Sequence, residues 1–180
     1  DLAVWSDLAE VDIGFDQVSG EIGELDETNY TTYFYEATGT DEDNAKLVDG
    51  INPIIFDETG DIIAAIAGEE NRYYILGFAG PTGFSNEDYD TIVDGQAVLN
   101  CLCLEGGDTT CEDGGTTIAF TEDTLDYTII HEFGHFINLD HTQVGFDLYD
   151  DGDSDNDDDI PIMFPIVVET SELPTPTVDD

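Results

Sequence analysis

The residues best equipped for chemistry lie between His131 and His141, a stretch reading His-Glu-Phe-Gly-His-Phe-Ile-Asn-Leu-Asp-His. On a helix, His131 and His135 sit one turn apart on one face, so both imidazoles can aim at a single ion. That spacing suits zinc. Glu132 follows the first histidine and can lean over the same site, where a carboxylate takes a proton from a water on the metal. His141, six residues past His135, adds a third nitrogen only if the helix stops near Asn138 and the chain turns back. Three neutral nitrogens leave one position open for water, which is the pattern of catalytic zinc. The competing account is ordinary surface histidines on a helix and its exit loop, because a bare HExxH arises by chance. It has to explain why all 3 histidines of the chain fall within these eleven residues.

Several elements must position this stretch. For the helix, Leu125, Ile129, Ile130, Phe133, Phe136 and Ile137 supply a buried side. Thr121 or Thr124 is a candidate cap, and Glu122, Asp123 and Asp126 put negative charge in the first turns, where the helix dipole favours it. Gly134 inside a helix costs about 1 kcal/mol against Ala, so close backbone packing is expected there. Upstream, Asp1 to Glu10 reads as an amphipathic helix carrying Leu2, Trp5 and Leu8, and Val11 to Phe15 alternates like a strand. Tyr30 to Glu36, rich in Tyr, Thr and Phe, reads as a strand. Asn52 to Phe56 and Asp61 to Ile66 flank the turn Asp57-Glu58-Thr59-Gly60, as a hairpin or a strand-turn-helix unit. Tyr73 to Ala79 is an apolar run, buried or at an edge near the cleft, closed by Gly80-Pro81-Thr82-Gly83. Gly95 to Asn100 is β-prone, and Thr116 to Phe120 reads as a short strand before the helix.

At these histidines the chain resembles the metzincin clan of zinc endopeptidases, whose pattern is H-E-x-x-H-x-x-G-x-x-H followed by a Met-turn. Asn138 stands where the family has glycine, and Asn is the next residue to tolerate the left-handed conformation needed there. Ile162-Met163-Phe164-Pro165-Ile166-Val167 resembles the Met-turn and specificity wall of the matrixins, with Met163 beneath the metal, although Val167 replaces the usual tyrosine. Taken alone, a single Met is commoner as core filler. The resemblance implies an α+β, metzincin-like fold: a twisted mixed β-sheet packed on a zinc-binding active-site helix, with a loop-rich C-terminal subdomain carrying the Met-turn. One domain over 1–180 is expected, divided at about residue 141, with the family's first strand and last helix not visible. The resemblance also implies that Ala97, Val98, Leu99 and Asn100 form the edge strand binding an extended peptide, with Pro165, Ile166 and Val167 walling the primary pocket. From pattern alone, 97–100 is equally an ordinary sheet strand.

Composition bounds the partners. Against 44 acidic residues stand 2 cations, Lys46 and Arg72, for a formal charge of -42. Nucleic acid and anionic membrane are thereby disfavoured as partners. With 40% hydrophobic and 11% aromatic content, the chain should bury a core beneath an acidic shell. Such a shell needs counter-ions, so a saline or divalent-rich extracellular setting is expected. No secretory leader or long apolar span is visible, as though the chain were already trimmed. Three cysteines, Cys101, Cys103 and Cys111, leave one odd thiol, and Cys103 or Cys101 paired with Cys111 would close a small loop. Asp151, Asp153, Asp155 and Asp157 alternate like the start of a calcium loop, but Asn156 and Ile162 break the EF-hand pattern, and a solvated acidic loop fits as well.

The function expected is therefore a secreted zinc-dependent endopeptidase acting on extended peptide or protein substrates, with calcium as a second candidate cofactor. A rival reading is a structural or adhesive surface or filament module that keeps the frame without turnover, its sheet completed by a neighbouring chain. A calcium-loaded binding module would leave the histidine cluster unexplained.

Overall fold

The computed structural model describes residues 4–5, 20, 22–34, 50–84, 91–104, 112–113, 116–117, 122–143, 145–153, 156, 159–167 and 176. The expected strand at 11–15, the caps at Thr121, the pairing with Cys111 and the tail beyond 167 (apart from Pro176) lie outside these residues. Of the expected first helix, Val4 and Trp5 are described, and both are helical.

Among the described residues the chain is a mixed α+β structure built on a small three-stranded sheet. Its strands are β1 (Ile54–Asp57), β2 (Gly77–Phe84) and β3 (Ile92–Asn100), in the order β1-β3-β2. β1 runs parallel to β3, pairing Ile54 with Ala97 and Asp57 with Asn100. β2 runs antiparallel to β3, pairing Gly77 with Leu99 and Ala79 with Ala97. The helices are α1 (Asp61–Ala67), the single turn α2 (Cys101–Leu104), the long α3 (Glu122–Phe136) and the short α4 (Phe146–Tyr149). A two-stranded ladder, β4 (Glu112–Asp113) with β5 (Thr116–Thr117), lies between α2 and α3 in sequence. No helix among the described residues is long and apolar enough to cross a membrane.

A parallel pair needs a crossover, and the 54–66 region supplies its start as strand-turn-helix rather than hairpin. The buried carboxylate of Asp57, at the end of β1, accepts the backbone N–H of Ile63 at 2.9 Å and so ties strand to helix. Burial pushes its pKa up, and the backbone donors around the turn oppose that shift. α1 then buries Ile62 and Ile63 against the sheet.

Two expected strands differ. Tyr30–Thr32 is a 3₁₀ turn, because Tyr30 and Phe34, four apart, both point into the sheet's core, with Phe34 N–H donating to Tyr30 C=O at 2.8 Å. Tertiary packing overrides β propensity there. The apolar run beginning at Tyr73 enters as a turn, with Tyr74 and Ile75 both donating to Asn71 C=O at 3.1 Å, and becomes strand only at Gly77. Gly80 to Gly83 do not close that strand but lie within it, across a register irregularity. Proline is tolerated there because β2 is an outer strand.

Two apolar clusters result. The sheet cluster joins Tyr30, Phe34, Ile55, Ile62, Ile63 and Val98. The helix cluster joins Trp5, Tyr127, Ile130 and Phe133 to Ile160, Ile162, Met163 and Phe164. α3 has the sheet on one side and the 160–167 segment on the other, so its burial is broader than a single stripe. Of the apolar side expected, Ile130 and Phe133 are buried, whereas Leu125, Ile129, Phe136 and Ile137 are only half-buried. Tyr127, not anticipated, is fully buried, and Thr124 lies inside α3 and does not cap it.

Candidate metal centre and cleft

The helix ends where the return of His141 to its face requires it to end. Asn138 has φ 73°, the only positive φ at a non-glycine among the described residues. Its N–H donates to His135 C=O at 2.8 Å, and Leu139 N–H reaches back to Gly134 C=O at 3.0 Å. This pair of bonds is a Schellman motif, with Asn in the place glycine usually takes. The chain reverses, and His141 returns to the face that carries His131 and His135. Thr142 N–H then donates to Met163 C=O at 2.9 Å, tying the returning chain to the segment beneath the helix.

Each helical imidazole is held by its inner nitrogen. His131 Nδ1 lies 2.7 Å from Ile162 C=O, and His135 Nδ1 lies 2.8 Å from Leu139 C=O. A carbonyl only accepts, so each Nδ1 carries the proton and each Nε2 is left with its lone pair directed outward. His135 Nε2 and His141 Nε2 are 3.1 Å apart, and one ligand atom from each of the three rings lies within 4.8 Å of the others. Nitrogens bound ~2.0 Å from a tetrahedral zinc stand roughly 3.3 Å apart, and the separation between His135 and His141 is close to that value. Among the described residues, these three are the side chains of metal-ligand type that converge in this way.

Exposure grades across the site from buried His131 through half-buried His135 to exposed His141. Burial pulls the His131 pKa down to about 4, with a smaller contribution from the neighbouring imidazoles, so the ring is neutral at ordinary pH. Glu132 is 6% exposed, and its Oε2 has no hydrogen-bond partner among the described residues. Desolvation alone pushes its pKa up to about 8. A buried carboxyl with an orphaned oxygen beside three convergent nitrogens costs stability, which makes Glu132 a candidate functional position.

Met163 is fully buried under this helix. A Cβ at Gly134 would collide with Met163 Sδ and would come within 2.9 Å of Trp5 Cζ2, so the close packing expected at this glycine is present. Trp5 adds a buried hydrogen bond, its Nε1–H donating to Ile130 C=O at 2.9 Å.

A cleft of about 370 Å³ opens over the trio. Its far wall is the 74–79 stretch running into β2, its floor includes Thr128 and Glu132, and its near wall is Phe164, Pro165, Ile166 and Val167. Pro165, Ile166 and Val167 line this cleft. Ala97, Val98, Leu99 and Asn100 do not: they belong to β3, paired on both sides and buried, with none more than 2% exposed. The outer strand beside the histidines is β2, which the sequence hid behind a late start and an internal proline. Asn100 instead has an architectural role, its Nδ2 donating to Arg72 C=O at 2.7 Å and Ile75 C=O at 2.8 Å.

Of the proposed calcium residues, Asp151 and Asp153 are exposed and stand apart from the histidine cluster, while Asp155 and Asp157 lie outside the described residues. The Asp151 carboxylate accepts Asn156 Nδ2 at 2.9 Å and Asp153 N–H at 2.7 Å, which hold its pKa below the usual carboxylate value.

No family model, no curated protein and no solved structure matches this chain. The case for function therefore rests on the geometry above.

Proposed function

We propose that this chain is a secreted zinc-dependent endopeptidase of metzincin, matrixin-like type. One observation carries the reading: three imidazoles converge next to a buried carboxyl, one oxygen of which has no hydrogen-bond partner among the described residues. Zinc held by His131, His135 and His141 would supply Lewis acidity, making a water acidic near neutral pH and polarising a substrate carbonyl. Glu132 would take a proton from a water in the cleft and hand it to the departing amine. His131 and His135 keep their Nδ1 protons on backbone carbonyls, which fixes ring orientation and leaves Nε2 as donor to the ion.

The substrate lies extended along the outer edge of β2, which carries no further strand among the described residues, so backbone pairing gives affinity without demanding a sequence. The residue after the scissile bond enters the cleft between α3 and the Pro165–Val167 wall, whose apolar lining favours an apolar side chain. An acidic exterior fits an extracellular, ion-rich setting and disfavours nucleic acid and anionic lipid.

The test is Glu132→Gln measured beside the wild-type chain for zinc content and for cleavage of unstructured peptides, with and without chelator. Wild type should bind about one zinc and cleave, and the variant should bind zinc and not cleave. Cleavage by the variant removes Glu132 from this role. A zinc-loaded wild type that cleaves no peptide turns the reading toward a non-catalytic surface module.

A further inference from the structure

Gly77, the first residue of β2, lies against the proposed proton carrier. A Cβ built on it would stand 2.9 Å from each of Cγ, Cδ and Oε1 of Glu132, closer than real side-chain contacts allow. Backbone conformation does not demand glycine here, because Gly77 is not among the residues with positive φ. The demand is for space. The strand cannot back away, since Asn100 N–H donates to Leu76 C=O at 2.8 Å and the Asn100 side chain holds Arg72 and Ile75 just upstream. Glu132 is the movable partner, because its carboxyl ends a flexible side chain while the opposing atoms belong to a paired strand.

From this contact we infer that Gly77 is a positioning residue for Glu132: its missing side chain lets the carboxyl lie against the backbone of β2 in the cleft that the three histidines also line. The inference rests on the peptidase reading for its kinetic arm, while the steric relation stands on the contact itself. Any side chain at 77 takes the space occupied by the carboxyl and swings it away, while the three imidazoles, anchored on the helix and its return, stay in place.

The experiment compares wild type, Gly77→Ala, Glu132→Asp and the double variant, each loaded with zinc. In Gly77→Ala, kcat should fall about 100-fold, the scale on which a misplaced general base is felt, with KM within about threefold. Zinc affinity and melting temperature should match wild type. Acetohydroxamate, which chelates zinc and offers a hydroxyl proton to a neighbouring carboxylate, should bind about tenfold more weakly to Gly77→Ala. Because Gly77 acts only through the carboxyl at 132, and Asp already withdraws that carboxyl by one methylene, the double variant should lose much less than the product of the two single losses. Unchanged kcat in Gly77→Ala, independent losses in the double variant, or a loss of zinc and stability in Gly77→Ala would each overturn the inference. If the wild-type chain binds zinc and cleaves nothing, the peptidase reading fails by itself, and weakened acetohydroxamate binding in Gly77→Ala still decides the positioning role.

Discussion

The chain carries two dense runs of ligand-type side chains, and they differ in how they are held. The histidines at 131, 135 and 141 are set on a long helix and its capped return, with backbone carbonyls gripping two rings and an apolar cluster beneath. The aspartates at 151 and 153 sit on exposed chain, and the Asp151 carboxylate is engaged with Asn156 and a local backbone N–H. Spacing alone makes both look like metal sites. What separates them is whether the fold has fixed the donor atoms before the ion arrives, because ordering them afterwards costs conformational entropy.

The strongest way to break this contrast is to disturb the support and not the ligands. Gly134→Ala should destabilise the chain by roughly 3 kcal/mol, since the added methyl meets Met163 Sδ and Trp5 and the small gain in helix propensity does not offset overpacking. Adding Met163→Ala should recover part of that loss, because the two sites share one space. Equal losses on denaturant titration, simply summed, would mean the helix is not propped from below.

Next in size is a pH effect in the metal-free protein. The folded pKa of Glu132 is raised to about 8 from a usual 4.5, so its neutral form favours folding and stability declines as pH rises through that interval. His131, depressed to about 4 from 6.5, has the opposite slope between those values, its contribution being complete above 6.5 and lost as pH falls toward 4. The two slopes cancel through the overlap and leave a net decline from pH 6.5 to 8 of about 2 kcal/mol. Glu132→Gln should flatten the decline, and zinc should abolish it by holding the trio. A profile unaffected by Glu132→Gln would show that the carboxyl is not desolvated as described.

A smaller effect is expected at the cap. Asn138→Ala should cost about 1 kcal/mol, and Asn138→Gly should be neutral or slightly stabilising, because the left-handed conformation is free only to glycine. Zinc affinity should follow the same order. Smallest of all, millimolar calcium should move the melting temperature of the zinc-loaded protein by no more than about 2 °C, the response of a site with little preformed affinity. A larger shift would show that the acidic run is built as firmly as the histidines.

The histidine site was legible because its signals are local. One-turn spacing, an adjacent Glu and an Asn at the turn position all sit within eleven residues, and each follows from helix geometry. The wall facing it was misassigned because strand order is not local. Ala97 to Asn100 read equally well as an edge or as the middle of a sheet, and only pairing with β1 and β2 makes them the middle. Tyr30 looked β-prone and became a turn for the same reason: the aromatics at 30 and 34 answer to a core assembled from distant residues. Gly77 gave the faintest signal, a glycine in an apolar run, whose meaning depends on a carboxyl 55 positions downstream.

The anchoring of Trp5 has a practical consequence. It is the chain's 1 tryptophan, is 1% exposed, and is bonded to the carbonyl of Ile130, next to a histidine of the trio. Its fluorescence is therefore a single-site optical probe, blue-shifted while the helix rests on its support and red-shifted once water reaches the indole. Cobalt in place of zinc should quench that emission at short range, so ion uptake and unfolding can be followed in one cuvette without any label.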